Sequence, residues 1–294
     1  MPKTKQIKQR NSPHKKCVDN YTQRKRAFKE RLTTMMKNKK HTRLAVLVSA
    51  IIVLALILAA CSADNEPTAN IPDYITIGET QYSTQLTDLY INGAFTDEDI
   101  VPLRYMTNLT TLWLSADDPP NHITDLSPIA GLTNLNFIWF IGDYVADLTP
   151  LAGLENLTSL RFMGNQVVDI TPLAGLTNLE SLSLARGQVT DVTPLAGLTN
   201  LTTLDLAWNQ ITDITPLAGL TGLQMLFLQS NQITDITPLA GLANLTNLLL
   251  SDNQISDLTP LAGLANLDTL QIPGNPVTDH SPITHVNNVT YEVE

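Results

Sequence analysis

Hydrophobic positions in the second half of the chain recur every 22 residues. Leu135, Leu157, Leu179, Leu201, Leu223, Leu245 and Leu267 each open a unit of the form LxxLxLxxNxIxDxxPLAGL, x being any residue. A fixed period of this length signals a solenoid, in which each unit buries its apolar side only against its neighbours. Two irregular units come first: one opens at Leu86 and is one residue longer than the norm, the other opens at Leu109 and carries four extra residues around ADDPPN. The pattern therefore predicts nine units over residues 84–280.

Within one unit the alternation predicts the elements. In LTTLDL, Leu204 and Leu206 flank Asp205, so a short strand points its leucines inward and Asp205 outward. Asn209 falls where that strand ends, and its side-chain amide can bond backbone groups of adjacent coils; Asn165, Asn231, Asn253 and Asn275 repeat it. Asp143 and Gly187 replace it, which predicts weaker turns there. On the other side of the coil, TPLAGL places a threonine as cap before a proline of preset φ, suited to a short 3-10 turn. The column Asp147, Asp169, Asp191, Asp213, Asp235, Asp257 and Asp279 is read as accepting backbone hydrogen bonds in that turn. As a calcium ladder it fails, because one carboxylate per coil falls short of the six to eight oxygens calcium takes. A solenoid must also close its ends: IPDYITIGETQYSTQL reads as an N-terminal cap, and residues 281–294, with the alternating VNNVTYEVE, as a C-terminal cap strand.

These residues resemble the internalin-like leucine-rich repeats of bacterial surface proteins, over nearly everything from about residue 84 to the end. The resemblance implies an α/β-type repeat solenoid, a right-handed coil with parallel β-strands on the concave face and short 3-10 turns on the convex face. It also implies a module that binds proteins through the concave face.

Charge divides the chain in two. Of 18 lysines and arginines, 15 lie between Lys3 and Arg43, and only Arg104, Arg161 and Arg186 follow. Beyond residue 60 these three face 26 acidic side chains, a formal charge of −23. Such a body repels phosphate backbones, so nucleic acid is discarded as a partner. The basic leader, residues 1–43, runs into the apolar core LAVLVSAIIVLALILAA, residues 44–60, in the order of a secretory signal. LAAC, Leu58 to Cys61, resembles the lipobox of bacterial lipoproteins, which implies cleavage before Cys61 and a lipid on its sulfur. The leader is long for a signal, and a start at Met35 or Met36 would give an ordinary one; the alternative is a retained signal anchor. Residues 61–83 are then the lipidated cysteine, a linker and the N-terminal cap. The expected location is extracytoplasmic, on a membrane at the bacterial cell surface.

Candidate chemistry is sparse. After the signal only His122, His280 and His285 occur, none with a credible nucleophile beside it; His280 and His285 with Asp279 match no strong metal-ligand spacing. No catalytic residue, metal or cofactor is assigned. The distinctive residues are instead outward strand positions. Four residues after each opening leucine stand Tyr90, Trp113, Trp139, Arg161, Ser183, Asp205, Phe227, Leu249 and Gln271. Phe137 shares a strand face with Trp139, and Met163, Met225 and Trp208 hold other outward positions. The expected ligand-binding set is Tyr90, Trp113, Phe137, Trp139, Arg161, Met163, Asp205, Trp208, Met225 and Phe227. Mixed charge among aromatics favours a protein ligand over the alternatives, a cell-wall or carbohydrate binder and a structural spacer. On this reading Trp113 and Trp139 sit side by side, exposed, and can be truncated with little loss of fold stability.

Overall fold

The computed structural model describes residues 71–115, 121–141 and 144–291. The basic leader, the apolar segment, Cys61 and Asp143 lie outside the described residues. The chain enters through an antiparallel hairpin, β1 (Tyr74–Ile77) and β2 (Thr80–Ser83), whose two-residue turn starts with Gly78 at φ 58°. A left-handed first turn residue suits a hairpin connection, and glycine adopts it at no steric cost. Ile75 and Ile77 on one face of the hairpin are buried, while Tyr74 on the other is exposed.

Ten further strands form one parallel sheet in strict sequence order. They are β3 (Asp88–Asn92), β4 (Thr111–Ser115), β5 (Phe137–Ile141), β6 (Ser159–Met163), β7 (Ser181–Ser183), β8 (Thr203–Asp205), β9 (Met225–Phe227), β10 (Asn247–Leu249), β11 (Thr269–Gln271) and β12 (Asn288–Thr290). A single helical turn, α1 (Asp97–Ile100), follows β3 behind a capping box in which Thr96 and Asp99 bond reciprocally. Each later coil returns through a short 3-10 turn such as Thr171–Leu173 or Thr215–Gly219. This is the leucine-rich repeat architecture that the resemblance implies.

Inward positions build the core as the alternation requires. Leu182, Leu204, Leu226, Leu248 and Leu270 are fully buried and paired in register from strand to strand. In β5 and β6 phenylalanine takes the second inward position, and Phe140 and Phe162 stack inside the core with centroids 5.1 Å apart.

Beside the leucines runs a buried asparagine column. Asn231 donates from Nδ2 to Leu206 O and Leu228 O, both at 3.0 Å, and accepts the Ile211 amide at Oδ1 at 3.0 Å. Asn209 and Asn253 repeat this pattern, Asn275 does so at the last coil, and Asn165 keeps the acceptor bond to Val145 N. Each side chain thus satisfies backbone groups of its own coil and of the coil before it. Gly187 has no side chain to offer, and the Val167 amide, which its oxygen would have taken, has no acceptor among the described residues.

The 3-10 turns require one correction. Threonine does not cap them; it is their first residue, and its amide donates to Oδ1 of the aspartate two positions earlier. The distance is 2.8 Å at Asp147, Asp169, Asp191, Asp213, Asp235 and Asp257, and Ser281 donates likewise to Asp279. The aspartates are therefore the caps, because an amide at the start of a turn has no partner inside it. Bonds from the hydroxyl and amide of the following threonine hold Asp169 and Asp213 below the usual carboxylate range.

Replacing Asn231 by Ala strands the Ile211 amide, while Leu206 O and Leu228 O each lose one of two donors and keep the amides of Asn209 and Asn253. Since an unsatisfied buried polar group costs about 1–3 kcal/mol, Asn231→Ala should lower unfolding free energy by about that amount in urea titration, whereas exposed Gln232→Ala should change it by less than about 0.5 kcal/mol.

Candidate ligand-binding face

The outward strand positions form one continuous ladder. Tyr90 pairs with Trp113, Trp113 with Trp139, Trp139 with Arg161, Arg161 with Ser183, Ser183 with Asp205, Asp205 with Phe227 and Phe227 with Leu249. Parallel strands about 4.8 Å apart hold equivalent side chains at stacking distance. The Trp113 and Trp139 rings stack with centroids 4.0 Å apart at an interplanar angle of 10°. Tyr90 lies 6.2 Å from Trp113 at the open end of the row, and Phe137, on the same face of β5, is 6.4 Å from Trp139. The Arg161 guanidinium lies 4.6 Å over the Trp139 ring, a cation–π contact that closes the row.

These aromatics shield one another more than an open platform would. Tyr90 is 62% exposed, but Trp113, Phe137 and Trp139 are half-buried. Among the described residues the buried Trp139 Nε1 has no acceptor. Truncating either tryptophan therefore removes stacking as well as surface, and the rings are half-buried where open exposure was expected.

The middle of the ladder is polar. Ser183 is buried and donates from Oγ to Asp205 Oδ2 at 2.9 Å, while the Ala207 amide donates to Asp205 Oδ1 at 3.1 Å. Asp205 faces the concave side as the alternation requires, but half-buried among its neighbours. That burial pushes its carboxyl above the usual range, against the lowering by the Ala207 and Ser183 bonds and by the positive charge of Arg161. Beyond it, Phe227 and Leu249 are half-buried, and Met225, beside Phe227 on β9, is 38% exposed. Met163 ends β6 in register with Ile141 of β5.

Trp208 stands apart from this ladder. It follows β8 in a left-handed turn with φ 54°, a position matched by Gly164, Arg186, Ser230, Asp252 and Gly274 on other coils. It is 45% exposed, and the Arg186 guanidinium lies 4.9 Å over its ring. Arg186 escaped the sequence reading, although its offset of one repeat from Trp208 was the signal. The histidines do not converge: His122 stacks on Tyr144, His280 meets Tyr291 edge-on, and His285 Nε2 lies 3.1 Å from Leu264 O. Among the described residues no group of three or more His, Cys, Asp or Glu is placed to hold a metal ion.

Comparison with known proteins agrees with this geometry. Residues 155–197 and 199–241 match the family model for leucine-rich repeats in two copies. Internalin C2 from Listeria monocytogenes is 36% identical with a TM-score of 0.54, over 74% of this chain and 88% of that one. Two more distant structures share the fold. The functional domain of InlJ from Listeria monocytogenes, with its cysteine ladder, is 21% identical with a TM-score of 0.51, over 73% of this chain and 56% of that one. The leucine-rich repeat ectodomain of the plant receptor kinase GASSHO1/SCHENGEN3 from Arabidopsis thaliana is 21% identical with a TM-score of 0.62, over 71% of this chain and 27% of that one. No curated protein sequence matches significantly.

The raised Asp205 carboxyl has a signed consequence. A group that holds its proton more tightly folded than unfolded makes stability fall as pH rises from the unfolded value through the folded one. Asp205→Asn keeps an oxygen for Ala207 N and an amide for Ser183 Oγ, so it should raise the melting temperature at pH 7, with the gain vanishing near pH 3. Calorimetry at both pH values checks this.

Proposed function

This chain belongs to the internalin-like family of leucine-rich repeat proteins, and from that premise we propose that it is a non-catalytic binding module that recognises a protein ligand through its concave face. The observation that carries the reading is the stacked row Tyr90, Trp113, Trp139 and Arg161 on outward strand positions. Core packing does not call for aromatics there, because the inward leucines already fill the solenoid. Aromatic and arginine side chains clustered on an accessible face are the composition of binding hot spots. Phe137, Met163, Asp205, Met225 and Phe227 extend the same face, and Trp208 with Arg186 adds a contact on its rim.

The module is held at the bacterial surface by lipid on Cys61. Support comes from LAAC at the end of an apolar run with a basic flank. Two acyl chains, at about 0.8 kcal/mol per buried CH₂, anchor a protein stably. In a bacterial host, Cys61→Ser should abolish incorporation of labelled fatty acid and leave the signal uncleaved; undiminished labelling would overturn the lipid anchor.

The binding reading is tested by titrating the full chain in detergent against protein extract and against purified wall glycans. Trp113→Ala should weaken binding to protein by about 2 kcal/mol or more. It should destabilise the fold by less than the roughly 3–5 kcal/mol of a core aromatic truncation, because the ring is only half-buried. Retention on glycans alone, lost in the variant, would replace the protein ligand by a carbohydrate.

A further inference from the structure

The centre of the concave face holds two opposite charges that do not pair with each other. Arg161 on β6 and Asp205 on β8 are separated by Ser183 on β7, so two strand spacings of about 4.8 Å place their positions roughly 10 Å apart. Both are half-buried. Among the described residues the Arg161 guanidinium packs on the Trp139 ring, acts on Asp205 only through its electric field and donates no hydrogen bond, so its planar fork of N–H groups is open. Asp205 accepts one hydroxyl and one amide, which leaves about half of its acceptor positions unused.

Half-buried charges that no ion pair neutralises are costly, and a fold that needed only stability would do as well with neutral residues here. The flanks sharpen the contrast. On the Tyr90 side the ladder is aromatic and on the Phe227 side apolar, so a ligand crossing the strands passes from rings to a cation, a hydroxyl, an anion and then to apolar surface. The chain beyond residue 60 carries a formal charge of −23, so its long-range field draws in positively charged partners, and Arg161 is one of only three arginines within it.

Resting on the binding reading above, we propose that Arg161 and Asp205 form a bipolar subsite for a polypeptide segment, Arg161 taking a partner carboxylate and Asp205 a partner ammonium or guanidinium roughly 10 Å away. Apolar side chains of the same segment lie on Trp113 and Trp139 on one side and on Phe227 on the other. Arg161 binds the carboxylate bidentately while its other face stays on the indole, and the Ser183 hydroxyl and Ala207 amide hold the Asp205 carboxylate in place for the cation. The order of charges fixes the direction in which the segment lies.

The test uses the full chain in detergent and a displayed library of random 12-residue peptides as probe. Peptides retained by the unaltered protein and released by Trp113→Ala define the concave-face binders. Among them an acidic and a basic residue should both be enriched, Arg161→Gln should weaken the acidic class more than tenfold, and Asp205→Asn the basic class likewise. The double variant Arg161→Asp with Asp205→Arg should select peptides with the charge order reversed. Far-UV circular dichroism and melting of each variant separate lost binding from lost fold, and the neutral variants serve if the reversal does not fold. Concave-face binders without charge enrichment would overturn the bipolar subsite and leave the binding reading standing. Retained peptides that Trp113→Ala does not release would instead overturn the binding reading, and the subsite with it.

Discussion

Closing each coil onto the one before it is the constraint on which the rest of the structure depends, and buried asparagines meet it. A coil of 22 residues must turn sharply after its strand, and the carbonyls and amides exposed by that turn face the interior. Left alone, each would carry a desolvation penalty comparable to a lost hydrogen bond. The Asn231 side chain takes Leu206 O and Leu228 O and gives its oxygen to Ile211 N, tying one coil to the next in a dry environment. Because Asn209, Asn253 and Asn275 do the same, spacing and register are fixed from coil to coil. The aspartate caps on the 3-10 turns secure the opposite side through exposed bonds.

Register makes the concave face a usable surface. With strands paired residue for residue, a side chain four places after an opening leucine always meets its counterpart, so Trp113 stacks on Trp139 and Arg161 covers it. A slip of one residue would send the rings into the core and the leucines to solvent. The concave ladder of side chains is thus a by-product of the asparagine ladder: the asparagines set the spacing, and the sequence at the outward positions is free to vary. That freedom shows in a column that runs from the aromatic Tyr90, Trp113 and Trp139 through Arg161 and Asp205 to Gln271, with no single chemical type kept from end to end.

Most of the fold was legible because the repeat states its own geometry. Leu204, Asp205 and Leu206 show the alternation, and Asn209 the turn, within one unit. Misreadings arose where the deciding neighbour lies a whole repeat away. Asp205 looks solvent-facing in its own strand and is half-buried by the flanking coils. Trp113 and Trp139 were placed side by side, but how far they bury one another was not visible from spacing. Arg186 meets Trp208 only through the solenoid's stacking. Asn121 also belongs to the ladder, accepting the Phe95 amide at 3.0 Å, yet the four extra residues around ADDPPN move it out of phase and hide it. Threonine was taken for the cap because Thr-Pro resembles one locally, whereas the aspartate two places earlier reaches the free amide.

The claim that buried asparagines lock the coils is tested most directly by amide hydrogen exchange along the equivalent positions Val145, Val167, Val189, Ile211, Ile233 and Ile255. Five of these amides donate to an asparagine oxygen of the following coil, at 2.9–3.3 Å, while Val167 faces Gly187. The account predicts that Val167 exchanges faster than Val145 and Val189 on either side by tenfold or more, since about 1.4 kcal/mol of lost protection corresponds to that factor. Equal protection of Val167 and its neighbours would contradict it, and the register of the concave face would then need another cause.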